Sequence, residues 1–259
     1  MPEALPRGDP TPRLSLLITC TVLALVAALS WWLLGAGART MTTMSGEGLL
    51  MQAAMAMMQP TDSLPYFTAS VAMWLLMMVA MMTPAVLPVL LTLQRMRTDS
   101  AGNAAPAFAA GYLAVWGGFG VVLTAVQWVM HRATLIEGHA MTANPVPASL
   151  ILIGAGLYQL TPMKRACLAH CQSPLAYLLG HWRTGQGGAF RMGLGHGAYC
   201  LGCCWALMLV MFAGGVMSVA TMAVLSLFIL VERVLPARAW ATTMPGLAMI
   251  AMGAGLLLA

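Results

Sequence analysis

Thiol and imidazole side chains recur at helical spacing in two neighbouring segments of this chain. The segments are CLAHC at residues 167–171 and HGAYCLGCC at residues 196–204, and they hold five of the chain's six cysteines. In an α-helix, residues three, four, seven and eight apart lie on one face. Each segment therefore predicts one stripe of donors. The candidate metal ligands are Cys167, His170, Cys171, His196, Cys200, Cys203 and Cys204.

Thiolate and imidazole are soft or borderline donors, which favour Cu(I), Zn(II) or an iron–sulfur cluster over Mg(II) or Ca(II). A tetrahedral site needs four ligands. One stripe supplies two or three, so two facing stripes would complete a site. We expect copper first and zinc second. Thiol redox chemistry and plain packing of a small apolar side chain are the alternatives.

Methionine is a second source of soft donors, with 24 residues in the chain. Met73, Met77 and Met81 repeat every four residues, which predicts a thioether stripe on one helix face. Thioethers favour Cu(I), so a copper path is one hypothesis. Packing by a flexible apolar side chain is the other. A further methionine-rich segment contains Met41, Met44, Met51, Met55, Met57 and Met58.

The composition indicates a membrane protein. Sixty per cent of the residues are hydrophobic and 7% are charged, whereas soluble domains carry about 25% charged residues. In a bilayer the backbone must pair internally, in helices or a closed barrel. Long unbroken apolar runs favour helices. The chain shows no basic stripe, so we expect no nucleic acid partner.

The predicted fold is all-α, a polytopic bundle of about seven transmembrane spans. The run from Gly193 to Leu235 is divided at Gly214-Gly215, where two glycines indicate a turn. We expect an uncleaved first helix after a disordered cytoplasmic tail at 1–13, and a single transmembrane domain at 14–259. The predicted spans are 14–34, 67–93, 107–130, 146–161, 193–213, 217–235 and 240–259.

Basic residues in the connections predict the orientation, because cytoplasmic loops are enriched in Lys and Arg. With the N-terminus inside and the C-terminus outside, two of the 12 basic residues, Arg39 and Arg132, face outwards. Glu232 and Arg233 are interpreted as an interfacial pair, and the alternative is that Glu232 serves as an outer ligand or a proton acceptor. The cytoplasmic set is Arg7, Arg13, Arg95, Arg97, Lys164, Arg165, Arg183, Arg191, Arg233 and Arg238.

Two connections are predicted to be ordered. Residues 40–60 would form a methionine-rich segment on the outer surface. Residues 162–192 would form the cytoplasmic Cys/His connection, with helices over about 162–172 and 174–182, because Thr161-Pro162 and Ser173-Pro174 are typical helix starts. Met82-Thr83-Pro84 and Leu160-Thr161-Pro162 both predict breaks in a helix.

The segments MMTPAVLP, YQLTPMKRACLAHC and GHGAYCLGCCWALMLVMFAGGVM resemble a family of bacterial integral membrane proteins. That family is labelled a domain of unknown function and described as predicted metal-binding. The resemblance covers about residues 66–235. It implies the same seven cysteines and histidines as ligands.

These observations predict a multi-pass protein of the bacterial inner membrane that binds copper or zinc near the cytoplasm, for transport or for delivery to a metalloenzyme. A metallochaperone, a larger membrane complex or a second copy would be the partner, besides the lipid bilayer. We expect no enzyme activity. The alternatives are a membrane thiol–disulfide oxidoreductase and a structural accessory subunit.

Overall fold

The described residues form a bundle of helices with one short β-hairpin. The structure is a computed structural model that describes residues 11–43, 48–58, 63–96, 104–234 and 239–258. The elements within these ranges are α1 Thr11–Thr43, α2 Leu49–Met58, α3 Leu64–Met96, α4 Ala104–Arg132, β1 Ile136–Glu137, β2 Thr142–Ala143, α5 Pro145–Gln159, α6 Pro162–Gln172, α7 Pro174–Gly180, α8 Gly185–Gly214, α9 Val219–Val234 and α10 Ala239–Leu258.

Four helices within the described ranges are long and apolar enough to cross a membrane: Leu17–Thr43, Leu64–Met96, Ala104–Arg132 and Gly185–Gly214. A fifth span results if α5 and α6, which meet at a bend of 67°, are counted together. The number is lower than the seven spans predicted. One reason is that α9 has 16 residues and would extend about 24 Å, less than the ~30 Å of a hydrocarbon core.

Glycines allow α4 and α8 to pack closely. A Cβ atom at Gly193 would overlap the backbone of Phe108, and one at Gly111 would overlap the Phe190 carbonyl. Small residues let helix backbones approach closely, which favours association inside a membrane. Helix α8 also contacts α5, α6 and α9, so it occupies the centre of the bundle and carries the second donor stripe.

The two helices predicted in the Cys/His connection are confirmed, with Pro162 and Pro174 as their first residues. Thr161 caps α6, because its hydroxyl accepts a hydrogen bond from the Lys164 amide at 3.2 Å. Helix α7 ends at Gly180, earlier than predicted. The chain bends by 67° between α5 and α6, and α6 packs against α8.

The break predicted at Thr83-Pro84 is wrong, because α3 continues through both Pro84 and Pro88. A proline removes one helical hydrogen bond. Here the Thr83 hydroxyl donates to the Val79 carbonyl at 2.5 Å, which supplies a local hydrogen bond at this turn. The break expected at Thr161-Pro162 is present.

The methionine-rich segment is divided between the end of α1 and the separate helix α2, which packs on α1 and α3. Ala54 and Met57 of α2 are buried. Met44 lies outside the described residues, as do Arg7, Arg97 and Arg238 of the basic set. Residues 1–10 of the predicted tail are also outside them, while α1 begins at Thr11, earlier than the predicted span.

Candidate thiol site

Two helices, α6 and α8, bring cysteines together near the middle of α8. The Cys171 thiol, from α6, lies beside the thiols of Cys200 and Cys203 from α8. The Cys204 thiol is a further neighbour of Cys200. Each of these four side chains is at most 7% exposed. Of the first predicted stripe, Cys171 therefore lies against the second stripe, and Cys171, Cys200, Cys203 and Cys204 are called the thiol cluster below.

Two members of the thiol cluster direct their thiols at their own helix. Cys203 Sγ and Cys204 Sγ donate to the Cys200 carbonyl at 3.1 Å and 2.8 Å. These residues lie three and four positions after Cys200, where a helical carbonyl is within reach. Accordingly, no group of three or more His, Cys, Asp or Glu side chains in the described ranges is already arranged to hold a metal ion.

Arg233 of α9 brings a positive charge to the thiol cluster. Its Nη2 lies 2.5 Å from Cys200 Sγ and 3.8 Å from Cys203 Sγ, and its Nη1 donates to the Ala85 carbonyl of α3 at 3.2 Å. The side chain is 9% exposed. A buried cation needs compensation, and here the sulfur atoms are its nearest polarisable neighbours.

The interpretation of Glu232 and Arg233 as an interfacial pair is wrong. Glu232 pairs with Lys164 of α6 at 2.7 Å, and both side chains are buried. Gln159 of α5 donates to the same carboxylate at 3.1 Å. Consecutive helical residues point about 100° apart, so Glu232 reaches the α5–α6 bend while Arg233 reaches the thiols. The Glu232 network thereby fastens α6 against α9, beside the thiol cluster.

His196 lies one helical turn before Cys200 and is 1% exposed. Its ring is surrounded by Phe108, Tyr112 and Tyr177, with centroid distances from 5.0 to 6.0 Å. Neither ring nitrogen has a hydrogen-bond partner in the described part of the chain. A buried imidazole without a partner is unfavourable, so these nitrogens are free to act as donors to a ligand.

Two predicted ligands lie apart from the thiol cluster. The Cys167 side chain is half-buried and packs on Gly202, where a Cβ atom would lie 2.8 Å from its Sγ. The His170 ring stacks on Tyr199 with centroids 4.2 Å apart, and its Nδ1 contacts the Ala166 carbonyl at 2.9 Å. The His170 ring is therefore engaged in contacts outside the thiol cluster.

Sequence reasoning missed Arg233 and Tyr112 as parts of the site. The Tyr112 hydroxyl lies 3.0 Å from Cys200 Sγ. The signal for Arg233 was its place at the end of a long uncharged run, since an ionisable residue beside an apolar segment often marks a site. Tyr112, by contrast, is an ordinary tyrosine in an apolar helix, and only the packing of α4 on α8 reveals its contact.

The fold and the site together define a class: an all-helical protein with membrane-length helices and a buried, thiol-rich centre beside a guanidinium. The comparison with protein families narrows this class. A family profile described as PpoB2, copper chaperone, matches residues 71–256, which include the whole thiol cluster. The chain therefore belongs to this copper chaperone family.

The family match confirms that the resemblance to a metal-related family was sound, and it extends beyond residue 235, where the resemblance was expected to end. It supports copper and leaves zinc without support. Neither a curated protein nor a solved structure matches the chain.

Proposed function

We propose that the chain is a membrane-embedded copper chaperone that binds Cu(I) at the thiol cluster and passes the ion to a copper enzyme. The observation that carries the proposal is the contact between thiols of α6 and α8, in a chain that belongs to a copper chaperone family. Thiolates are among the ligands that select Cu(I). The copper ion is cargo, so its ligands must also release it.

Binding requires a change of side-chain rotamer in the thiol cluster. Cys203 and Cys204 leave the Cys200 carbonyl, to which they donate at 3.1 Å and 2.8 Å, and turn towards Cys171. Rotation between staggered χ1 wells moves a sulfur without moving the helix. The unpartnered nitrogens of His196 add a neutral donor one turn away.

Copper is favoured over zinc by the family match, whose description names copper. Thiolates bind both Cu(I) and Zn(II), so the donor types alone do not separate the two ions. Cys167 is a further thiol at the margin of the cluster, where its side chain lies beside Gly202.

We further propose that the chain crosses the bacterial inner membrane seven times, with the N-terminus inside and the C-terminus outside. The thiol cluster then lies near the cytoplasm, where thiols stay reduced. A metallochaperone, a subunit of a larger membrane complex or a second copy of the chain would be the protein partner in this transfer.

A membrane thiol–disulfide oxidoreductase is the second candidate. The Cys171 thiol contacts Cys200 and Cys203 across two helices, so oxidation could join α6 to α8. This function requires a disulfide that cycles with a partner and no bound metal. A structural accessory subunit would tolerate loss of the cysteines altogether.

The test is elemental analysis of protein purified without oxygen. We compare the parent, a variant with Cys167, Cys171, Cys200, Cys203 and Cys204 changed to serine, and the control Cys20→Ser. Cys20 lies in α1, outside both stripes. We expect near-stoichiometric copper in the parent and the control, and loss of the thiol-bound copper in the five-serine variant.

If the parent protein held zinc instead of copper, the proposed ion would be wrong and the proposed site would stand. Absence of any metal in the parent, after both ions are offered, would contradict the proposal. A disulfide that cycles in that protein would favour the oxidoreductase, and full function of the five-serine variant would favour the accessory subunit.

A further inference from the structure

A cavity of about 500 Å³ lies between α1, α2, α3 and the turn that joins α8 to α9. Its lining includes four methionines from four different segments: Met41 of α1, Met57 of α2, Met73 of α3 and Met217 of the turn. The remaining lining is almost entirely aliphatic, with Gln52 and Thr68 as polar exceptions. We call the space that these four residues line the methionine cavity.

The methionine cavity and the thiol cluster lie at different heights in the bundle. Met73 precedes Ala85 by 12 residues on α3, which is about 18 Å along a helix axis, and the Ala85 carbonyl accepts the hydrogen bond from Arg233. On α8, the cysteines lie before the helix end at Gly214, while Met217 follows it. The cavity is therefore a separate place from the proposed thiol site.

The four methionines are buried although they line open space. Their exposed fractions are 0% for Met41, 5% for Met57, 5% for Met73 and 6% for Met217. Methionine usually fills gaps in a core. Here the space beside the side chains is large enough for a ligand, so packing does not by itself account for four thioethers around it. Thioethers are soft, neutral donors that suit Cu(I).

A row of buried methionines on α3 runs from the cavity towards the level of the thiols. Met77 and Met81 follow Met73 at intervals of four residues on α3, and their side chains are 0% and 1% exposed. The next position in this row is Ala85, whose carbonyl is held by Arg233, which in turn contacts Cys200. The row on α3 thus ends one turn before a residue whose backbone contacts the Arg233 side chain beside the thiol cluster.

We propose that the methionine cavity is a second Cu(I) site, which loads the ion and passes it along Met77 and Met81 to the thiol cluster. This inference rests on the proposed function for the direction of transfer. A neutral thioether attracts a cation less than a thiolate does, because the thiolate carries a charge. The ion therefore moves from weaker to stronger donors, and the cavity empties as the thiols fill.

The test isolates the cavity by removing the thiols. The five-serine variant described above is purified, and binding of Cu(I) and of the redox-inert probe Ag(I) is measured by equilibrium dialysis. X-ray absorption reports the ligands of bound copper. We expect the five-serine variant to bind both ions through sulfur. Four added Met→Leu changes, at residues 41, 57, 73 and 217, should abolish this binding.

The matched control has four Met→Leu changes at exposed methionines outside the cavity: Met55, Met163, Met244 and Met252. It should bind both ions as the five-serine variant does. Circular dichroism and size exclusion confirm that each variant is folded, and Met73→Leu alone, the mildest change, should still weaken binding.

Two outcomes would overturn the inference: the five-serine variant binds neither ion, or the cavity variant binds as well as the matched control. Under either result, the proposed thiol site still stands if the parent carries copper at its cysteines. If the parent instead holds copper that the serine changes do not affect, the proposed function fails while the cavity site stands.

Discussion

Arg233 decides the charge of the thiol cluster. Its guanidinium contacts Cys200 and lies within 3.8 Å of Cys203, while the nearby carboxylate of Glu232 is paired with Lys164. A Cu(I) ion held by two thiolates carries one negative charge, which a buried site tolerates badly. The fixed charge of Arg233 would neutralise that complex, which makes this residue the counter-charge of the proposed cargo.

Replacing Arg233 with leucine should therefore weaken Cu(I) binding by roughly tenfold or more. Opposite charges about 4 Å apart at an effective dielectric constant near 20 attract by ~4 kcal/mol, and ~1.4 kcal/mol already corresponds to tenfold. Arg233→Lys, which keeps the charge, should retain more of the affinity. The measurement is competition with a chromophoric Cu(I) chelator.

The control for this prediction is Arg165→Leu, because Arg165 is an exposed cation on α6. It should bind Cu(I) as the parent does. Equal affinity of the Arg233→Leu protein and the parent would show that the guanidinium has no part in binding.

At the scale of elements, the close contact of α4 with α8 positions the second donor stripe. Gly193 and Gly197 lie on the α8 face that meets Phe108, Tyr112 and Val115, and Cys200 follows one turn later. The same contact brings the Tyr112 hydroxyl to within 3.0 Å of Cys200 Sγ. A change that separates these helices should disturb the site as well as stability.

Gly193→Ala tests this packing, because the added Cβ atom would overlap the Phe108 backbone. We expect a loss of ~1–3 kcal/mol of stability, as for other overpacked cores, together with weaker copper binding. Thermal unfolding in detergent measures the first effect and the chelator competition measures the second.

The matched control is Gly118→Ala on α4, where an added Cβ atom would meet no other atom within 4 Å. Its unfolding temperature should equal or exceed that of the parent, since alanine favours a helix over glycine. If both variants unfold at the same temperature as the parent, the helices do not rely on this contact.

At the scale of the whole molecule, two of the ten basic residues used to predict orientation are not loop charges. Lys164 and Arg233 are 0% and 9% exposed and take part in the buried network around the site. Charges inside a bundle do not report on topology. Without these two, eight basic residues lie on the predicted cytoplasmic side and two on the predicted outer side. The proposed orientation is therefore unchanged.

The proposed topology predicts where reporters are active. An alkaline phosphatase fused after α10, which matures only outside the cytoplasm, should be active, and a green fluorescent protein at the same place should stay dark. A fusion in the connection between α3 and α4 should give the reverse pattern. Fluorescence after α10 would mean an even number of crossings and would contradict the seven-span proposal.

The sequence by itself determined the all-helical class, the helix starts at Pro162 and Pro174, and the two stripes of donors. These features depend on local periodicity and on residues whose effect is local. The break expected at Pro84 failed because α3 is held by its tertiary neighbours, which can outweigh one lost hydrogen bond.

Only the tertiary structure decided which stripe members meet. The 67° bend after α5 and the packing of α6 on α8 bring Cys171 to Cys200 and Cys203, and turn His170 onto Tyr199. The partners of Lys164, Glu232 and Arg233 were likewise decided by contacts between residues up to 148 positions apart. Spacing along one helix specifies a face, but only packing specifies what that face meets.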